Sequence, residues 1–294
     1  MGTSNAYGGA GGGTPLIPSW LQGDGKDAAG PGPGDGDGSQ SLSPGGLPPA
    51  VPPAPAPRPA APPGAPDRFT SARNNFTRFV SSGGSDRRSL GRAVSQYVSK
   101  SAGGSRRAAQ RMGSSRGTGA GLIQFLNDAS VNGVHQALRT LNLDSLAGRP
   151  IEEVFAGLAD YICPEGGTID EGIARDAFIE TIADLAAAGI TDIDALTSDQ
   201  IQTVFELYVA HAIEARICND IGTKIVTLPT DPRAAERVQA QLRDFIRRGV
   251  SDAISAVGIN VQSLAPDSVL GFVNDVYQSA FEVLQTLGDG EAAK

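Results

Sequence analysis

The side chains able to do covalent or metal chemistry are few in this 294-residue chain: two histidines, His135 and His211, and two cysteines, Cys163 and Cys218. A zinc site draws three or four nitrogen and sulfur ligands together, commonly as short-spaced pairs. These four residues show no paired spacing, so no metal site is expected. A cysteine nucleophile needs a base within hydrogen-bond reach, and nothing in the sequence sets one beside either thiol. His211 falls at the edge of an apolar helical face and reads as a satisfied, semi-buried residue. Glu152, Glu153, Asp170 and Glu171 fall in the first turns of expected helices, where the helix dipole favours a negative charge, and they read as structural. The glycine-rich run Gly117-Thr118-Gly119-Ala120-Gly121-Leu122 fails as a dinucleotide fingerprint, because its sixth position is leucine and no strand pattern precedes it. It reads as a joint or an approach to a helix. There is no Gly-Lys-Ser/Thr and hence no phosphate-binding loop of that kind. No catalytic residue and no cofactor are expected, and the chain reads as a non-enzyme.

One nucleophile of another kind stands at the N-terminus. Gly2 is small enough that Met1 should be removed in a cell, which exposes an unhindered glycine amine at the end of a long stalk. Myristoylation of that glycine is not expected, because Ala6 occupies the position where Ser or Thr is preferred. Further along, Leu16, Ile17, Trp20 and Leu21 form an apolar bead between prolines. Trp20 is the only tryptophan of the chain. The bead reads as a short docking motif for a partner or for the chain's own body.

The elements that must carry these residues follow from an uneven composition. Fifteen of the 20 prolines and 16 of the 38 glycines lie in residues 1–66. Such a segment cannot bury a core, and its stretch 47–66 reads as a polyproline II spacer. Residues 1–66 are therefore expected to be a disordered tail. Residues 67–116 form a basic segment, with a net charge of +10 over residues 68–116, and residues 117–294 form an acidic body of net charge −15. No apolar run approaches the roughly 18–20 residues that cross a bilayer, and no signal peptide is recognised, so a cytoplasmic chain without membrane contact is expected.

Apolar residues at helical spacing run through everything after the tail. Phe69, Ala72, Phe76, Phe79 and Val80 predict a first helix, with Asp67 as its cap. Leu90, Ala93, Val94, Tyr97 and Val98 predict a second from about Asp86 to Lys100, with Arg88, Arg92, Ser95 and Ser99 on its outer face. In the body, helices are expected over 122–132, 134–143 and 151–163. Thr168-Ile169-Asp170-Glu171 and Thr197-Ser198-Asp199-Gln200 read as capping boxes that open two more. Gly189 ends the first of these, and the second, running through Cys218, should be central. Ile225–Leu228 reads as an extended connection. Thr230-Asp231-Pro232 and Pro266-Asp267 open the last two helices. The fold class is an all-α helical bundle.

Two stretches resemble a known family. Met1-Gly2-Thr3-Ser4, followed by a glycine run into Pro15-Leu16-Ile17-Pro18-Ser19-Trp20, is one. The other runs through Arg68-Phe69-Thr70-Ser71-Ala72-Arg73, Phe76-Thr77-Arg78-Phe79, Ser82-Gly83-Gly84-Ser85-Asp86-Arg87-Arg88-Ser89-Leu90-Gly91-Arg92, Tyr97-Val98, Gly103-Gly104, Ala108 and Arg111-Met112-Gly113-Ser114-Ser115-Arg116. Both resemble the QatB component of bacterial Qat anti-phage systems. The resemblance implies a non-enzymatic member of a four-protein defence operon, whose partners would be an ATPase, a QueC-like enzyme and a TatD-like nuclease. It also suggests a role for the tail. Gly2, with Thr3 and Ser4, would be an acceptor for a deazaguanine-type base conjugated by the QueC-like enzyme, with Leu16, Ile17 and Trp20 as the docking bead. Arg73, Arg78, Arg87, Arg88, Arg92, Arg106, Arg107, Arg111 and Arg116 would form a basic docking surface for the acidic body or for a protein partner. The alternative is that these arginines bind nucleic acid and deliver the nuclease to phage DNA.

Overall fold

The computed structural model describes residues 67–163, 167–190, 192–222, 231–258 and 264–294. Gly2, Thr3, Ser4, Leu16, Ile17, Trp20, the whole of the tail 1–66, the connection Ile225–Leu228 and Thr230 lie outside the described residues. The described residues belong to one compact unit. They are helical, with no strand among them.

The basic segment forms a hairpin of α1 (Thr70–Ser81) and α2 (Arg87–Gln96), then a short α3 (Ser105–Gln110). The acidic body follows as α4 (Ser114–Asn132), α5 (Val134–Thr140), α6 (Ile151–Ile162), α7 (Ile169–Ala187), α8 (Ser198–Ile217), α9 (Pro232–Val257) and α10 (Val269–Ala293). Two helices organise the rest. α10 packs on α2, α3, α4 and α9, and α8 packs on α4, α7 and α9. α8 is central as its composition implies, with buried residues on every side, from Ile201, Phe205 and Tyr208 to His211, Ala212 and Ile217.

Local chemistry accounts for many of the boundaries. Both capping boxes form: Thr168 Oγ1 accepts from Glu171 N at 3.3 Å while Glu171 Oε2 accepts from Thr168 N, and Thr197 and Gln200 repeat the arrangement. Replacing Thr197 with alanine leaves the Gln200 N–H of α8's first turn without its side-chain acceptor. It should cost about 1 kcal/mol, measurable by urea unfolding, and serine there should restore most of the loss. Gly189, at φ +72°, ends α7 in the left-handed conformation, and Ile190 N donates back to Leu185 O at 3.1 Å, closing the turn in the Schellman manner. Asp231 caps α9 by accepting from Arg233 N, with Pro232 at the first helical position.

Four expectations are corrected. Asp67 does not cap α1 with its side chain; its backbone carbonyl accepts from Thr70 N. α2 does not run on to Lys100 as an α-helix: residues Tyr97–Ala102 form a widened π-helical turn, and Ser95 is buried rather than outward, donating its hydroxyl to Asp289 Oδ1. Gly117–Gly121 is not a joint but lies inside α4, which begins eight residues earlier than the apolar pattern suggests. The glycines permit close packing there. A Cβ on Gly119 would lie 3.1 Å from the Tyr208 ring, and one on Gly121 2.9 Å from Ile162 Cγ2.

Candidate functional site

The basic segment is the candidate functional region, and what fixes it to the body is a charge cluster around Asp220. Asp220 lies in a second π-helical turn, Cys218–Gly222, directly after α8. Widened turns of this kind re-aim side chains that a regular helix would carry away. Here the two π turns face one another across the core: Tyr97, from the first, donates its hydroxyl to Asp220 Oδ2 in the second at 2.9 Å. The Arg111 guanidinium donates to the same oxygen at 2.8 Å, and Arg216 Nε lies 3.5 Å from it. Arg216 also pairs with Asp170 at the start of α7. Arg73 Nη2 donates to the Asp220 backbone carbonyl at 2.8 Å.

Above this cluster sits the Phe69 ring. The guanidinium carbons of Arg68, Arg73 and Arg111 lie 4.7, 5.3 and 5.5 Å from its centroid, within the range of cation–π attraction. Burial pushes the Tyr97 phenol well above its ordinary range, and the Asp220 charge adds to the shift. For Arg216, burial opposes the charge, but Asp220, Tyr97 and Asp170 outweigh it and the net shift is upward. Tyr97 thus stays a neutral donor and Arg216 stays charged. The arrangement binds a phenol and three guanidinium groups to one aspartate; it holds segments together.

The nine arginines of the expected docking surface separate into different roles. Arg73 and Arg111 are turned inward to Asp220. Arg116 is half-buried, with Nη1 donating to Asn274 Oδ1 at 2.9 Å. Arg92 is half-buried, while Arg78, Arg87, Arg88, Arg106 and Arg107 are exposed. Asp86 caps α2 through Ser89; that hydrogen bonding, and then Arg92 and Arg88, hold its carboxyl below the usual range.

The histidines and cysteines are separated in space as well, with one exception. His135 is exposed and Cys163 is buried. His211, only 4% exposed, has Nε2 3.0 Å from Asp184 Oδ2. Arg247 approaches the same aspartate at 3.6 Å, and Arg243 pairs with Glu214 at 3.4 Å, so these two arginines of α9 are engaged in ion pairs. His211 and Cys218 share the wall of a cleft of about 310 Å³ between α7, α8 and α9. Burial, and then Glu214, push the Cys218 thiol up to about 12, so it is a thiol rather than a thiolate at neutral pH. Burial likewise raises Glu214. Among the described residues, no group of three or more His, Cys, Asp and Glu side chains is placed to hold a metal ion.

Sequence reasoning missed Asp220 and Arg216, and read Asp170 only as a first-turn carboxylate. A signal for the first two existed: a charged pair at i,i+4 closing a helix that is otherwise apolar nearly all round.

Residues 103–284 match the family model described as QatB, Qat anti-phage system associated protein QatB. The chain belongs to the QatB family. It is therefore a component of an anti-phage defence system. The matched region runs from the start of α3 into α10 and so covers most of the helical body. The motifs that suggested QatB from the sequence overlap it only from Gly103 to Arg116. No curated protein and no solved structure matches the chain. In this QatB chain no helix among the described residues is long and apolar enough to cross a membrane.

Proposed function

We propose that this QatB-family chain is a non-enzymatic adaptor of its defence system, and that the Gly2 amine is a substrate of a QueC-like partner. Membership of the QatB family supports the reading, because it makes the chain a component of an anti-phage system; a QueC-like partner in that system is what the sequence resemblance implies. The internal commitment of Arg73, Arg111 and Arg216 supports the adaptor part. Arg73 and Arg111 tie the basic segment to the body, while Arg78, Arg87, Arg88, Arg106 and Arg107 remain exposed to a partner such as the ATPase or the nuclease.

QueC-type enzymes spend ATP to activate a carboxylate on a deazaguanine. The Gly2 nitrogen would attack the activated carboxyl carbon, the activating group would leave, and the amine would lose one proton, forming an amide. An α-amine has a pKa of about 7.7–8.0, so a useful fraction is unprotonated at neutral pH, unlike a lysine. Intact-mass spectrometry of the chain co-expressed with its operon should show a Met-free N-terminus carrying the added base. An unmodified Gly2, or the same adduct formed without the QueC-like enzyme, would overturn the assignment.

The exposed arginines also favour a second reading, a nucleic-acid contact that delivers the TatD-like nuclease to phage DNA. It requires affinity that falls steeply with salt and is lost when Arg87 and Arg88 are reversed to glutamate. Failure to bind single- and double-stranded DNA at low salt removes it.

A further inference from the structure

A second cleft, of about 390 Å³, opens between α3, the start of α4 and the middle of α10. That is within the roughly 300–1,000 Å³ of small-molecule sites. Arg106, Gln110, Arg116, Asn274, Asp275 and Gln278 line it, with Ala109 as the apolar contribution. The wall is polar throughout and carries no aromatic face on which a base could stack.

Arg116 is the arginine of this lining that is drawn inward. Like those of Arg73, Arg111 and Arg216, its Nε is buried and has no acceptor among the described residues, and its Nη1 donates to a neutral amide, Asn274 Oδ1. Arg111, Arg216 and Arg243 each pair with a carboxylate and Arg73 with the Asp220 carbonyl; Arg116 has no ion pair among the described residues. A half-buried guanidinium without an ion pair keeps donor capacity for an anionic ligand, and cleft walls focus its potential. Arg106 stands exposed at the mouth and adds a second positive charge.

The acceptors are as informative. Gln278 Nε2 donates to Glu282 Oε1 at 3.1 Å, and Ser105 Oγ donates to the same oxygen at 3.0 Å. Glu282 is thus held beyond the end of the cleft, and Gln278 is oriented with its amide oxygen as the atom left for a ligand. Asp275 supplies a further acceptor. Two forked cations next to two oxygen acceptors suit a phosphate joined to hydroxyl groups, since arginine matches phosphate geometry and carboxylate and amide oxygens accept from hydroxyls.

We infer that this cleft binds a phosphorylated polyhydroxy compound, a sugar phosphate, with its phosphate on Arg106 and Arg116 and its hydroxyls on Asp275 and Gln278. The inference is independent of the Gly2 assignment.

Calorimetric titration of the full chain with ribose 5-phosphate, inorganic phosphate and ribose tests it. Ribose 5-phosphate should bind saturably and more tightly than phosphate, and ribose should not bind. Arg106→Gln, an exposed change that spares the fold, should weaken the sugar phosphate at least about tenfold, as should Arg116→Gln. Asp275→Asn should weaken the sugar phosphate while sparing phosphate, and Arg78→Gln, remote in sequence on α1, should change neither. No saturation by about 10 mM ligand, well above the millimolar affinity expected of such a site, overturns the proposal. So does equal affinity for ribose 5-phosphate and phosphate, or binding that Arg106→Gln leaves unchanged. If Arg116→Gln unfolds by circular dichroism, Arg106→Gln and Asp275→Asn still decide.

Discussion

Replacing Asp220 with alanine should lower the unfolding free energy by on the order of 3–5 kcal/mol, the usual cost of removing one partner from a buried ion pair. The Asp220 side chain is 9% exposed, and it answers Arg111, Arg216 and the Tyr97 hydroxyl together. Its removal leaves two guanidinium groups with less counter-charge and a fully buried phenol without an acceptor. Asparagine should cost less than alanine, because an amide oxygen can still accept from Tyr97. The double change Arg111→Met with Asp220→Leu should recover part of the loss, since replacing a buried pair by apolar groups is often near neutral. Urea unfolding followed by far-ultraviolet circular dichroism gives the numbers. Hydrogen exchange should show the turn at Tyr97 and the segment around Arg111 opening first, since they lose their acceptor. A loss under about 1 kcal/mol for Asp220→Ala, the range of an exposed pair, would mean the cluster does not bind the basic hairpin to the body.

The second large effect lies where α2 crosses α10. A Cβ on Gly288 would sit 2.6 Å from the Gly91 carbonyl oxygen and 3.0 Å from Ser95 N; a Cβ on Gly91 would sit 2.7 Å from the Gly288 carbonyl oxygen. These obstacles are backbone atoms, so a rotamer change cannot relieve them. Helix propensity alone favours Gly→Ala by about 1 kcal/mol, yet overpacking costs about 1–3 kcal/mol or more, and here the clash should win. Gly288→Ala should therefore destabilise, and Gly288→Leu should separate α2 from α10. Gly271 provides the control: it lies in the same helix, is exposed, and has nothing within 4 Å of its would-be Cβ. Gly271→Ala should stabilise by about 0.5–1 kcal/mol. Opposite signs for the same substitution in one helix, read from thermal midpoints, would establish the close crossing. A stabilising Gly288→Ala would refute it.

Much of the helical framework was legible from the chain alone. Thr168, Thr197, Gly189 and Pro232 act through atoms only a few residues away, so their roles can be read from spacing. The apolar stripes of α8, α9 and α10 likewise announce themselves, because burying one face of a helix requires that periodicity. The candidate site was legible only in part. Its arginines were visible as a charge excess, but nothing local distinguishes Arg73, which binds Asp220, from Arg78, which faces water.

The unevenness between tail, basic segment and acidic body, the all-α class and most helix starts are properties of composition and short-range hydrogen bonding, and the amino-acid sequence by itself determined them. The tertiary structure decided the rest. It turned Gly117–Gly121 from a supposed joint into a helix face fitted against Tyr208 and Ile162, buried Ser95 under Asp289, and brought Tyr97 and Arg111 onto the Asp220 carboxylate. Each of these depends on contacts between residues tens to hundreds of positions apart, whose energy arises from desolvation and close approach and leaves no local periodic mark.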